Sequence, residues 1–283
     1  MKHSFVTFFL AAAVAATSGT AWAQQRPLVT EDPETVGAGN VLVESGFDML
    51  RNVEFPASGL EGDLLRVPTV GVSFGFSSIL ELQIDGGFYD RLTVKKKVAA
   101  PLSSELDFTG DRTSDVEDFV VATKIRIVSE GVGRPSVGVR LATKLPTATN
   151  GSGLGLDTMD FHITALVGKT TRAVRVVGNL GLGILSDPVR GDRQNDVLLY
   201  GLSVARALQQ GFEVVAEANG RMNTRSDHVP TGTESRAALR AGARVTRSAV
   251  RIDGGLIFGL TPRDTTFGFT LGMTYVFRGF TLP

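Results

Sequence analysis

The ionisable side chains of this 283-residue chain recur at every second position. Lys124 with Arg126, Arg140 with Lys144, and Arg236 with Arg240 and Arg244 each share one side of an alternating run, and Arg175 and Arg251 sit likewise on two others. Carboxylates hold the matching side of further positions: Glu44, Asp48, Glu81, Asp85, Asp160, Glu213, Glu217 and Asp253. Such a surface does one of two kinds of work. Left unpaired, the cations form a track that guides anions, as rings of Arg and Lys do in anion-selective pores. Paired with the carboxylates, they form a salt-bridge lattice that fills the space they face. Counting outward from the tight turns places Lys124 opposite Arg140 and Arg244 opposite Arg251. Like charges directly opposed on antiparallel strands repel, so each pair needs an anion, water or a carboxylate from a neighbouring strand.

Other chemistry has less behind it. A hydrolase needs a nucleophile beside a base. Past the first few residues the chain has His162 and His228, with no G-x-S-x-G turn to present a serine. His162 falls between Asp160 and Thr164 on the charged side of its run, and an enzyme is not expected. Two histidines far apart and no cysteine make a poor metal site, so no metal or cofactor is expected. Asp107, Asp111 and Asp115 do not have calcium-loop spacing. Gly151, Gly153 and Gly155 spell G-x-G-x-G, but no helix follows to receive a phosphate. Lys95-Lys96-Lys97 reads as a solvated loop, with contact to lipopolysaccharide phosphates as the sharper alternative.

The elements that carry these side chains read as strands. In DVEDFVVATKIRIVSEGVGRPSVGVRLATKLP, Phe119, Val121, Thr123, Ile125 and Ile127 alternate with Asp118, Val120, Ala122, Lys124 and Arg126. A turn at Gly131-Val132-Gly133 leads into a second alternating run. A period of two with one apolar face is an antiparallel hairpin. The same unit recurs at 40–52, 64–76, 79–94, 158–169, 172–186, 195–208, 212–224, 234–246, 249–260 and 265–277. Short turns are predicted at Ser77-Ser78, Thr170-Thr171, Gln209-Gln210-Gly211 and Arg247-Ser248. They alternate with longer loops at 53–63, 95–114, 147–157, 187–194, 225–233 and 261–264.

The ends give the address. Lys2, an apolar core from Phe5 to about Ala16 and Ala21-Trp22-Ala23 form a secretory signal peptide, 1–23. Residues 24–283 then make one domain. Without Lys2 the exported chain carries one net negative charge, which does not suggest a nucleic-acid partner, and none is expected. No run after Ala23 is long and apolar enough for a spanning helix.

About twelve strands with strictly alternating short and long connections fit a transmembrane up-and-down antiparallel β-barrel, all-β, with both termini periplasmic. A sandwich would have irregular connections. A soluble barrel of that size would be hard to fill with side chains, whereas turning the apolar faces outward meets lipid and leaves no strand edge. Near the C-terminus Thr270, Gly272, Tyr275 and Phe277 are similar to the polar-x-Gly-x-x-aromatic-x-aromatic signal of proteins inserted by the bacterial barrel-assembly machinery, although the chain continues through RGFTLP.

Three stretches together resemble the outer-membrane barrel family of transporters of the meta-pathway of phenol degradation: RPLVTEDPETVGAGNVLVESGFD, DVEDFVVATKIRIVSEG and LATKLPTATNGSGLGLDTMDF. Ala148 stands where that pattern has a glycine after K-L-P-T. The resemblance implies passage of aromatic compounds across the outer membrane of a Gram-negative bacterium. The expected role is a monomeric channel or transporter for small molecules, aromatic or anionic among them, with outer-membrane lipid and lipopolysaccharide around it. A plugged barrel with a structural or surface-binding role is the alternative, and a lipid hydrolase a third.

Overall fold

In this computed structural model residues 26–225 and 228–281 are described; the predicted signal peptide lies outside them. The strands are β1 (Asn40–Phe55), β2 (Leu60–Gly75), β3 (Leu80–Gly87), β4 (Asp90–Lys97), β5 (Arg112–Asp115), β6 (Val120–Val128), β7 (Ser136–Lys144), β8 (Asp160–Thr171), β9 (Val174–Ser186), β10 (Gln194–Gln209), β11 (Phe212–Asn223), β12 (Arg236–Arg247), β13 (Val250–Gly259) and β14 (Phe267–Arg278). Each pairs antiparallel with its neighbours, and β1 closes the ring by pairing with both β2 and β14. The ring has twelve staves. Two of them are interrupted: β2 pairs with β3 over its lower half and with β4 over its upper half, while β5 continues β6 upward against β4. The break faces Val67-Pro68 on β2, and proline has no N–H to give the ladder.

The short turns lie at the end that carries both termini, and the long connections lie at the other. Outward positions are apolar and bare: Leu180, Leu202 and Ile252 are 58%, 55% and 60% exposed. Inward positions bury charge, with Lys124 and Glu81 both 0% exposed. A soluble protein has the reverse arrangement. In hydrocarbon this one is stable, because closure satisfies the backbone and lipid covers the apolar belt.

Three expectations about connections are corrected. The loop expected at 53–63 is strand almost throughout: β1 and β2 rise together and turn at 56–59. Much of 95–114 is also ordered, comprising the end of β4, a 3-10 turn at Ser103–Glu105 and β5. Inside this tall hairpin Val53, Leu60, Leu64, Leu92 and Val94 form an apolar cluster, with Leu106 and Phe108 packed on it from one outer loop and Leu154 from the next. The G-x-G-x-G loop closes this cap, since Gly153 O accepts from Ser58 Oγ at 2.7 Å and Gly151 O from the Asp107 N–H at 3.0 Å.

The third correction is register. The β12–β13 turn is Ser248-Ala249, one residue later than predicted, with Ser248 at φ +53°. A two-residue hairpin needs a positive φ, and Ser248 supplies it. Arg244 therefore faces Asp253, and Arg251 faces Thr246. The β8–β9 turn likewise moves to Arg172-Ala173, with Arg172 at φ +56°.

Candidate functional site

The lumen is occupied by the chain's own N-terminal segment. Residues 26–36, RPLVTEDPETV, have no period of two and two prolines, so they do not join the sheet. They enter from the periplasmic end and run as a belt around the inner wall. At the inner end of the belt the Arg26 guanidinium donates to Thr69 Oγ1 at 3.0 Å, Thr270 Oγ1 at 2.7 Å and the Leu271 carbonyl at 2.8 Å. It lies 3.7 Å from Asp48 and 3.6 Å from Asp253. Leu28 packs on Ala205 and Val215. The Val29 and Thr30 N–H groups donate to the Glu217 carboxylate at 2.8 and 2.7 Å. Asn179 accepts from the Glu31 N–H at 2.7 Å and donates to its carbonyl at 2.8 Å, replacing the strand partner that the belt lacks.

Acidic side chains fix the rest of the belt to the wall cations. Glu31 accepts from Lys124 Nζ and from Gln83 Nε2, each at 2.8 Å. Asp32 pairs with Arg175 through two hydrogen bonds, and Glu34 with Arg126. Nearest the periplasm, the Val36 N–H donates to Glu81 at 2.6 Å and Thr35 Oγ1 to the Ser78 carbonyl at 3.0 Å. Wall glycines make the room. A Cβ on Gly46 or Gly272 would strike Arg26, one on Gly242 would crowd Pro27, and one on Gly168 would crowd Pro33.

Each inward cation singled out in the sequence has a carboxylate beside it. Lys124 is 2.8 Å from Glu31 and 3.1 Å from Glu81, and Arg140 is 3.3 Å from Asp85 and 3.7 Å from Glu31. Lys124 and Arg140 do stand opposite one another, and Glu31 of the belt lies between their charges. Lys144 pairs with Asp118 and Asp160, Arg240 with Glu217, and Arg244 and Arg251 both with Glu213. Arg236 hydrogen-bonds the carbonyls of Arg263 and Glu54 at 2.8 Å and lies 3.7 Å from Asp264. Glu44 instead accepts from Thr274 Oγ1 at 3.0 Å.

Thr270 and Gly272 face Arg26 inside the barrel, whereas Tyr275 and Phe277 stack outside with centroids 5.5 Å apart. His162 lies across from Ala142 and Gly183, neither of which carries a nucleophile. Among the described residues no group of His, Cys, Asp and Glu could hold a metal ion. The three lysines are engaged: Lys95 with Asp63 and Asn52, Lys96 with Glu61, and Lys97 over the Phe108 ring at 4.2 Å.

Bounded by the belt on one side is a cavity of about 540 Å³. Its lining includes six carboxyl groups, Glu31, Glu44, Asp48, Asp85, Glu117 and Asp118, against the four guanidiniums of Arg26, Arg66, Arg140 and Arg240. The belt residues and Arg66, which pairs with Asp90 and Glu117 at 3.3 and 3.1 Å, escaped the sequence analysis. One signal was present: Lys124 opposite Arg140 required an anion, water or a carboxylate between them.

No protein-family model matches the sequence, and no curated protein matches it either. The fold has solved counterparts. The COG4313 outer membrane channel from Pseudomonas putida F1 superposes with a TM-score of 0.65 at 14% identity, over 87% of this chain and 98% of that one. The NanC porin superposes with a TM-score of 0.50 at 8% identity, over 83% of this chain and 98% of the porin. At these identities the likeness is one of fold: an outer-membrane β-barrel.

Proposed function

We propose that this barrel is a constricted outer-membrane channel in which the belt of residues 26–36 sets the bore, and that its permeants are small, uncharged or cationic molecules. The observation that carries this is the pairing of the lumen's cations with carboxylates. The inward cations available to guide anions are paired with wall and belt carboxylates, and carboxyl groups outnumber guanidiniums around the cavity beside the belt. A hydrophilic anion entering it meets like charge in a space of reduced dielectric, where repulsion is strong. A volume of about 540 Å³ has room for a single-ring aromatic compound, so the aromatic substrate class implied by the family resemblance fits better than an anionic one. In proteoliposomes, uptake should fall in the order cation, neutral, anion for solutes of one size. Faster uptake of the anion would refute the proposal.

A second reading, a barrel closed by its own salt bridges, draws on the same lattice. No uptake of any solute by folded protein would favour it.

A further inference from the structure

We infer that the outward face of β1, β2, β4 and β5, at the level of the outer aromatic girdle, is a docking site for the phosphorylated headgroup of outer-leaflet lipopolysaccharide. Inward residues on β4 are Asp90, Leu92 and Val94, all buried, so Arg91 points away from the lumen; Thr113 is buried on β5, so Arg112 does the same. Arg91 stands opposite Ser114, and Arg112 opposite Thr93. The two arginines are thus diagonal neighbours across one strand pair, a relation that sets residues about 7–8 Å apart and their Cβ atoms somewhat closer. That spacing lets two guanidiniums close on one phosphate group. Arg51 and Lys95 lie on the same face and share the carboxylate of Asp63, at 2.8 Å for Arg51. With the Lys96, Glu61 and Glu54 side chains of the same face counted, five cations against three carboxylates leave two positive charges. The guanidiniums of Arg91 and Arg112 have no ion pair or hydrogen bond among the described residues.

Height on the barrel identifies the occupant. Arg91 lies two residues above the exposed Tyr89, or roughly 7 Å along the strand. Arg51 is paired with Phe267, whose ring meets Phe258 edge-on at 5.6 Å. Aromatic girdles mark the boundary between hydrocarbon and headgroup. The patch therefore sits where the phosphates of an anchored glycolipid lie, and arginine binds phosphate with paired, charge-assisted hydrogen bonds. It shares Lys95 with the triple-lysine segment, whose members are already engaged within the protein, and adds Arg91 and Arg112, which are not.

The test is binding of purified bis-phosphorylated lipid A to the folded mature barrel in detergent, read as the lipid-dependent rise in Tm. The variant Arg91→Ala/Arg112→Ala should bind about tenfold more weakly or worse, the loss expected for two charge-assisted contacts. Arg91→Lys/Arg112→Lys should recover much of the affinity, and Arg206→Ala, on the outward face near the periplasmic end, should match the parent. Heat-modifiable gel mobility confirms that each variant is folded. Equal binding by the double alanine variant would overturn the inference. Equal binding of dephosphorylated lipid A, or displacement by an equal concentration of inorganic phosphate, would overturn it too. An equal loss in Arg206→Ala would show general charge attraction instead of a site.

Discussion

Replacing Lys124 by Met should release the belt. The ammonium is fully buried and holds Glu31 of the belt at 2.8 Å and Glu81 of the wall at 3.1 Å. Met keeps most of the volume but leaves two buried carboxylates sharing the donors of Gln83, with Arg140 as a nearby compensating charge for Glu31. Removing one partner of a buried ion pair costs about 3–5 kcal/mol. The barrel recovers much of that if the belt swings out and water reaches Glu31 and Glu81. Recovery of about 3 kcal/mol raises the belt-out population on the order of a hundredfold. The chain has no cysteine, so Leu28→Cys, at a buried belt position, gives a single labelling site. Maleimide should label it about two orders of magnitude faster in the Lys124→Met background, in proportion to that population. Adding Glu81→Gln removes one of the stranded charges and should slow labelling again. An unchanged rate in folded Lys124→Met protein would refute the reasoning.

Further outcomes follow from the same geometry. Gly272→Val places a branched side chain where Arg26 sits, so the thiol of the Leu28→Cys variant should label faster while the fold survives. Arg240→Ala with Arg244→Ala uncovers Glu217 and Glu213 and should move the reversal potential toward cations; an unmoved potential would count against the paired lattice. At the periplasmic end Glu130 is partly buried, which opposes ionisation, but donors from the Thr170 N–H, Arg175 and Lys169 outweigh this and hold its carboxyl below the usual glutamate value. A depressed folded-state pKa means that its contribution is complete above the ordinary glutamate range and is lost as pH falls through the depressed value. Thermal stability of Glu130→Gln should therefore be lower than that of the parent at neutral pH, and the two should converge only in strong acid.

The strands were legible because one face of each had to meet lipid and the other the lumen, which writes a period of two into the sequence. That pattern placed Lys124, Arg140 and Glu217 on the same side as their eventual partners. It could not place residues 26–36, which obey no period because their backbone bonds go to side chains such as Glu217, Asn179 and Glu81. Nor could it fix the β12–β13 register. A one-residue shift in the turn exchanged Arg251 for Asp253 opposite Arg244, and what set the turn was the positive φ of Ser248. Thr270 and Gly272, read from sequence as part of an assembly signal, also seat Arg26, a contact that spans almost the whole chain.

Single-channel recording of the folded barrel with and without residues 26–36 tests the belt most directly. Deletion removes Glu31, Asp32 and Glu34 together with Arg26, leaving Lys124, Arg126 and Arg175 short of partners. The shortened barrel should conduct several-fold better than the parent and shift its reversal potential toward anions. Equal conductance and equal selectivity in the two forms would contradict a bore set by the N-terminal segment.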